Sequence, residues 1–264
     1  MQKLLVRACS GLVYIGLLIS AIYLGWNTVF TIGALFLTLA IPELLRLLDL
    51  KEYKVAAYLS AFVLYILMNN PYVGDSRILL GLMPFLLLFL LTKNHENLVA
   101  DICKFCLLLL YIVLPLSLLP LLYQELVTLQ SPMLLLGVLA CIWMNDTFAY
   151  LTGSLIGKNK LWAAVSPGKS WEGFIGGFIM SLLFGYILSQ LFDSITIIQG
   201  ILLGALISVM ATFGDLFESS LKRRAGVKDS GNIMPGHGGI LDRIDSILFV
   251  VPAVFTFFIL LQLN

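Results

Sequence analysis

Long apolar runs alternate with short polar breaks along this chain. An α-helix needs about 20 apolar residues to cross the hydrocarbon core of a bilayer, and helices satisfy their own backbone polar groups there. Nine runs have roughly that length, at 5–24, 27–45, 54–70, 77–92, 102–123, 132–153, 171–192, 195–217 and 243–262. The pattern therefore predicts an all-α, polytopic integral membrane protein with about nine transmembrane helices.

Composition agrees with this fold class. The 264 residues are 60% hydrophobic and only 12% charged, about half the charged share of a soluble domain. No polar stretch is long enough to form a separate soluble domain. The net charge of +1 gives no reason to expect a nucleic acid partner.

The distribution of basic residues predicts an orientation. With the N-terminus in the cytoplasm, every Lys and Arg except Arg77 falls on the cytoplasmic side, which is the usual bias of membrane proteins. The prediction is N-in and C-out, with the polar loops 154–170 and 218–242 both facing the cytoplasm.

We divide the chain at residue 130 on the distribution of its chemistry. Residues 1–130 hold transmembrane helices of unassigned role: scaffold, dimer contact or lipid contact. The charged cluster there that includes Glu43 and Arg46 is interpreted as a solvated helix end. Residues 131–264 are predicted to be the catalytic transmembrane region.

Acidic and basic side chains are concentrated between Gly214 and Asp245. Asp215, Glu218, Ser219 and Lys222 are spaced to share one helical face, and so are Asp242 and Asp245 at the start of the last span. If the two helices meet, their carboxylates can hold a hard divalent cation. Mg²⁺ suits such a site, because it takes few carboxylates and keeps waters and phosphate oxygens as other ligands.

Two further segments carry candidate chemistry. Asp146 lies inside the sixth span, and an acid there is by default a functional hypothesis; the alternative is a helix-packing hydrogen bond through Asn145 and Asp146. The second segment, 166–173, reads SPGKSWEG. Its lysine, hydroxyl and backbone amides could bind phosphate; the alternative, compatible with it, is helix capping by Ser166 with Pro167 at the first helical position.

The charged stretch resembles the signature of phosphatidate cytidylyltransferases, the CDP-diacylglycerol synthases. The matching residues are Ser219, Leu221 to Arg223, Lys228, Asp229, Gly231, Met234, Pro235, His237 to Ile240 and Asp242 to Asp245. The Asn145–Asp146 and 166–173 segments also resemble that family. Gly168 departs from it, since many members have Lys there. The resemblance covers about the last 120 residues well.

The resemblance implies an enzyme of the bacterial cytoplasmic membrane that condenses CTP with phosphatidate, requires Mg²⁺, with a second cation left open, and forms an all-helical homodimer. Its site would open to the cytoplasm and to the bilayer. The acids we assign to metal are Asp215, Asp242, Asp146 and Asp245. The catalytic residues we assign are Asp215, Asp242, Lys222 and Arg223. The substrate-binding residues we assign are Lys169, Ser170, Glu172, Ser219, Lys228, Asp229, His237 and Arg243.

Other classes explain the sequence less well. A transporter accounts for the spans and the intramembrane acid but not for the dense Lys, Arg and Asp loop. The Asp-rich motif of CDP-alcohol phosphotransferases is missing from the sequence. CTP-dependent isoprenoid-alcohol kinases are the stronger rival, and a pure scaffold has no use for so many charges.

Overall fold

A computed structural model of the chain describes residues 2–70, 98–234 and 238–262. Within these ranges the helices are α1 (Gln2–Leu24), α2 (Trp26–Leu47), α3 (Lys54–Met68), α4 (Leu98–Leu108), α5 (Leu114–Thr128), α6 (Leu134–Ile156), α7 (Trp171–Leu191), α8 (Ile197–Arg224) and α9 (Leu241–Gln262). A π-helical turn, Leu109–Val113, joins α4 to α5. Helices occupy the positions of all the predicted spans except 77–92, which lies outside the described residues.

Six helical spans in the described ranges are long and apolar enough to cross a membrane. They are Trp26–Leu47, Val99–Thr128, Leu134–Ile156, Trp171–Leu191, Ile197–Arg224 and Leu241–Leu261. α3 is also apolar but has only 15 residues. The prediction of an all-α polytopic membrane protein is confirmed at this level, while the count of nine and the orientation stay predictions.

A small hairpin lies within the predicted loop 154–170. Strands β1 (Lys160–Trp162) and β2 (Ser166–Ser170) pair antiparallel, with Lys160 opposite Ser170 and Trp162 opposite Ser166. In the part of the chain that the structure describes, these are the only named strands. The strands are too short to show the alternation of polar and apolar residues that would have predicted them.

α8 is longer than its apolar sequence suggests. It continues to Arg224, whereas the predicted span ends at 217 and the predicted loop begins at 218. A predicted apolar span stops where charged residues begin. The helix itself can continue through them when an acid and a base lie one turn apart and pair. Glu218 and Lys222 are such a pair.

The chain forms two compact units, and the first comprises residues 1–121 and 224–243. Here the ring of Tyr14 on α1 stacks on Phe36 of α2, with centroids 6.0 Å apart. The Tyr14 hydroxyl donates a hydrogen bond to the carbonyl oxygen of Arg243 at 3.0 Å. This unit therefore includes part of the charged C-terminal stretch. The division at residue 130 rests on chemistry rather than compactness and stays a prediction.

The second unit comprises residues 122–223 and 244–264. The buried residues of α7 include Gly173, Gly177, Ser181 and Gly185, which recur every fourth position and form one face of small side chains. A Cβ at Gly177 would lie 2.8 Å from the carbonyl oxygen of Asn145 on α6. Small residues let membrane helices approach this closely, so this face determines how α6 and α7 pack.

Candidate active site

Three acids and a lysine come together in the second unit. Asp146 of α6, Asp215 of α8 and Asp245 of α9 interact electrostatically with one another and with Lys169 of β2. The Lys169 ammonium lies 2.6 Å from Oδ2 of Asp215, and both side chains are partly exposed. Among these four residues, Asp215 forms an ion pair with Lys169, and the other two acids interact with both at longer range.

Gly214 allows two of these acids to approach. A Cβ at this position would lie 2.5 Å from the backbone oxygen of Asp245. Because that contact is with backbone, a side chain here would force α8 away from α9. The glycine immediately before Asp215 therefore keeps its helix beside the helix of Asp245.

A buried amide holds the third acid. Asn145, 2% exposed, accepts hydrogen bonds at its Oδ1 from Ser208 Oγ at 2.6 Å and from Ser181 Oγ at 3.4 Å. Its Nδ2 donates to Oδ1 of Asp146 at 3.2 Å. Asn145 thus joins α6, α7 and α8 and orients Asp146, so the packing interpretation and the functional interpretation of this pair are compatible.

Two of the proposed phosphate ligands make contacts within the protein. The Lys222 ammonium lies 2.6 Å from Oε2 of Glu218, with side chains 11% and 1% exposed. Arg223 is exposed, and its Nε donates to the carbonyl oxygen of Val165 at 3.3 Å. Lys222 therefore takes part in an enclosed ion pair, whether or not it also contacts substrate.

The cap of α7 differs from the prediction. The helix begins at Trp171, and the Ser170 hydroxyl accepts a hydrogen bond from the Gly173 amide at 3.1 Å. Ser166 lies in β2 instead, so the prediction that it caps the helix is wrong. The strand pairing extends the backbone through Ser166, and the helix can start only after the strand ends.

Glu172 forms hydrogen bonds with the segment that precedes the hairpin. Its carboxylate accepts hydrogen bonds from the amide of Lys158 at 3.1 Å and from the side-chain Nδ2 of Asn159 at 2.7 Å. These contacts connect the start of α7 to the end of α6. Glu172 was assigned to substrate binding, and in this structure it holds Lys158 and Asn159, which precede β1 of the hairpin.

Asp242 lies in the first unit. Its Oδ2 accepts hydrogen bonds from the Ser230 amide at 2.9 Å and from the Gly239 amide at 2.7 Å, and the Ser230 hydroxyl oxygen lies 2.9 Å from it. The carboxylate therefore orders the backbone around it. Asp215 and Asp242, which we paired at one metal, belong to different compact units.

Glu43 is the residue that sequence reasoning missed. It is 5% exposed, and its carboxylate accepts hydrogen bonds from the amides of Ile240 at 3.0 Å and Leu241 at 2.9 Å. The Ser230 hydroxyl lies 2.9 Å from its Oε2. The interpretation of Glu43 as part of a solvated helix end is wrong. Its partners lie far away along the chain, so nothing in one sequence indicates the contact.

The other assigned residues have the following positions. Ser219 is buried and donates to Oδ1 of Asp215 at 3.3 Å. Lys228, Asp229 and Arg243 are exposed, and His237 lies outside the described residues. Within 2–70, 98–234 and 238–262, no group of three or more His, Cys, Asp or Glu side chains is preformed as a metal site.

Comparison with known proteins covers nearly the whole chain. A model of the cytidylyltransferase family matches residues 5–261. The phosphatidate cytidylyltransferase of Staphylococcus haemolyticus is 35% identical over 256 residues, covering 94% of this chain and 96% of that protein. Those of Staphylococcus saprophyticus and Staphylococcus aureus strain COL are 48% and 49% identical over 112 and 114 residues, each covering 42% of this chain and 43% of the relative.

Proposed function

Because the chain belongs to the cytidylyltransferase family, and is thus a nucleotidyltransferase, we propose that it transfers the cytidylyl group of CTP to phosphatidate, forming CDP-diacylglycerol and pyrophosphate. The observation that carries the proposal is the electrostatic interaction of Asp146, Asp215 and Asp245, which lie on apolar helices, with one another and with Lys169. This arrangement suits a reaction between two anions at a membrane.

The chemistry requires positioning more than proton transfer. A phosphate oxygen of the lipid, already anionic at neutral pH, attacks the α-phosphorus of CTP, and the bond to the departing pyrophosphate breaks. No strong general base is needed. Lys169, held by Asp215, would contact the phosphates, and Arg223 and Lys228 are exposed cations that would bind them from solution. Phosphoryl-type transfers are generally accelerated by such placement of charge.

Mg²⁺ fits the donor set of the second unit. The three acids there offer only oxygen ligands and repel one another, and Lys169 is the cation paired with one of them. Because no three-ligand cluster is preformed in the described ranges, the ion would be held by one or two carboxylates together with water and phosphate oxygens. When bound, Mg²⁺ neutralises charge on the reacting phosphates. The proposal leaves room for a second cation at this site.

The membrane arrangement is part of the proposal. We place the protein in the cytoplasmic membrane with nine spans, N-in and C-out, and with the active site facing the cytoplasm. The distribution of Lys and Arg supports this orientation. We also propose a homodimer, which the family resemblance supports; cross-linking of the purified protein tests it.

The direct test uses CTP labelled separately at its α- and γ-phosphates. Purified protein is incubated with Mg²⁺, phosphatidate and each nucleotide, and the lipid is extracted. We expect the α-label in the lipid and the γ-label in pyrophosphate. A CTP-dependent lipid kinase would instead transfer the γ-label to a lipid alcohol, and a transporter would turn over neither. Folded protein that yields no lipid-soluble α-label would contradict the proposal.

A further inference from the structure

The segment 229–242, here called the signature loop, is held in place by Glu43, an acid of the N-terminal half. The Glu43 carboxylate accepts hydrogen bonds from the Ile240 and Leu241 amides at one end of this loop, and at the other end it lies 2.9 Å from the Ser230 hydroxyl, which it shares with Asp242. All of these residues belong to the first unit. Both ends of the loop are thus tied to one side chain of α2.

The burial of this carboxylate needs an explanation. Removing a charge from water is unfavourable unless hydrogen bonds compensate for it. Here the amides at the start of α9 supply them, and the positive end of the helix dipole adds to the effect. A leucine would fill similar space without this requirement but could not accept these hydrogen bonds, so the acid has a role that an apolar side chain could not take.

Two glycines of the loop form the cavity for Glu43. A Cβ added at Gly231 would collide with its Oε1, and a Cβ added at Gly239 would collide with the Ser230 hydroxyl oxygen and with both carboxylate oxygens of Glu43. Neither glycine has a positive φ, so close contacts, with Glu43 at Gly231 and with Ser230 and Glu43 at Gly239, account for the lack of a side chain. An acid outside the signature thus explains Gly231 and contributes to the explanation of Gly239.

Ser230 connects Glu43 to a proposed active-site acid. Its hydroxyl lies 2.9 Å from Oε2 of Glu43 and 2.9 Å from Oδ2 of Asp242. Its amide donates to the same oxygen of Asp242. A displacement of the Glu43 carboxylate would therefore move the groups that orient Asp242.

We propose that Glu43 is a positioning residue, whose buried carboxylate fixes both ends of the signature loop and thereby directs the carboxylate of Asp242. The inference rests on the proposed cytidylyl transfer for its catalytic consequence. It gives α2 a part in the activity, although the N-terminal half contributes no side chain to the signature.

Glu43→Gln is the most informative substitution. It preserves size but replaces one acceptor oxygen with an NH₂ group, which then faces a backbone amide or the Ser230 hydroxyl. We expect kcat to fall about 10- to 100-fold, as for other residues that orient an active-site group. The KM for CTP should change less than about threefold, because binding is retained and alignment is lost. Glu52→Gln, at an exposed acid of the same region, should leave kcat unchanged.

Rescue distinguishes positioning from general stability. Gly231→Ala should inactivate the enzyme by displacing the Glu43 carboxylate, and adding Glu43→Asp should restore activity, because the shorter acid withdraws from the new methyl group. Gly16→Ala, where a Cβ would meet nothing within 4 Å, is the matched control. A Glu43→Gln enzyme with wild-type kcat would overturn the inference, as would an absence of rescue in the double variant.

Trypsin cleavage after the exposed Lys228 gives a measurement that does not depend on activity. Cleavage of Glu43→Gln should be faster than cleavage of the wild type or of Glu52→Gln, since the loop loses one of its attachments to α2 and keeps that of Arg46, which donates to the Ser230 carbonyl oxygen. Equal cleavage rates would contradict the proposed role. A wild-type protein without cytidylyl transfer would instead count against the proposed function, and the cleavage comparison would still decide whether Glu43 holds the loop.

Discussion

Lys222 and Glu218 form an enclosed ion pair, with side chains 11% and 1% exposed. The pair lies one helical turn apart on α8, close in sequence to Asp215. Its ammonium therefore has two candidate roles: stabilising the buried acid and contacting a substrate phosphate. The sequence analysis assigned this lysine a catalytic role through the family resemblance, but the burial that creates the first role depends on packing.

Substitution separates these two roles. We expect Lys222→Met to reduce the free energy of unfolding by about 3–5 kcal/mol, because it removes the cation facing a buried carboxylate. The double variant Lys222→Met/Glu218→Leu should regain most of that stability, since apolar pairs often replace buried ion pairs without loss. Turnover should stay low in both.

Denaturation in detergent and the CTP assay measure the two effects. Lys160→Met, at an exposed lysine of β1, is the control and should change neither quantity. Recovery of turnover together with stability in the double variant would show that Lys222 acts only through packing.

At the scale of the element, the sequence predicted where α7 begins but did not predict which residue caps it. The predicted span 171–192 corresponds to Trp171–Leu191. The apolar pattern sets the length of the helix, but Ser166 and Ser170 both precede it at plausible capping positions. The β2 pairing chooses between them, and a pairing with β1 cannot be read from such short strands.

Alanine substitutions test this assignment. Ser170→Ala should destabilise the protein by about 1 kcal/mol, since the Gly173 amide loses its acceptor. Ser166→Ala should have a smaller effect, because its hydroxyl caps no helix. Thermal unfolding in detergent measures both, and a larger loss for Ser166→Ala would contradict the cap seen here.

The small-residue face of α7 gives a second test at this scale. Gly177→Leu should prevent close packing with α6, because even a Cβ lies 2.8 Å from the Asn145 carbonyl oxygen. We expect a marked fall in the yield of folded protein after detergent extraction. Gly16→Leu places the same side chain where a Cβ meets nothing within 4 Å and should preserve the yield; equal losses would contradict the packing account.

At the scale of the whole molecule, the pattern of apolar runs was sufficient to predict the fold class. It was insufficient to predict the contacts between distant segments or the hairpin. Span positions follow from the length that a bilayer requires. The burial of Glu43, by contrast, depends on partners in the signature loop, and the hairpin depends on a local strand pairing. The charged stretch itself is divided between two compact units, which a contiguous motif does not suggest.

The proposed orientation is testable in intact bacterial cells. In a variant without Cys9, Cys103, Cys106 and Cys141, a cysteine added after Asn264 should react with an impermeant thiol reagent from outside. Ala163→Cys, in the exposed turn of the hairpin, should react only after the cells are permeabilised. Labelling of both cysteines from the same side would contradict the N-in and C-out arrangement.

The central claim is that Asp146, Asp215 and Asp245 hold the positive groups, Lys169 and Mg²⁺, at the place where the phosphates react. Its most direct test is the rate of cytidylyl transfer by purified Asp215→Asn in saturating CTP and Mg²⁺. We predict a loss of about 10²- to 10³-fold, the size expected when preorganised charge is removed from a transferring group, in protein that still folds. Asp193→Asn, at an exposed acid before α8, should keep the wild-type rate. A near-normal rate for Asp215→Asn would contradict the claim.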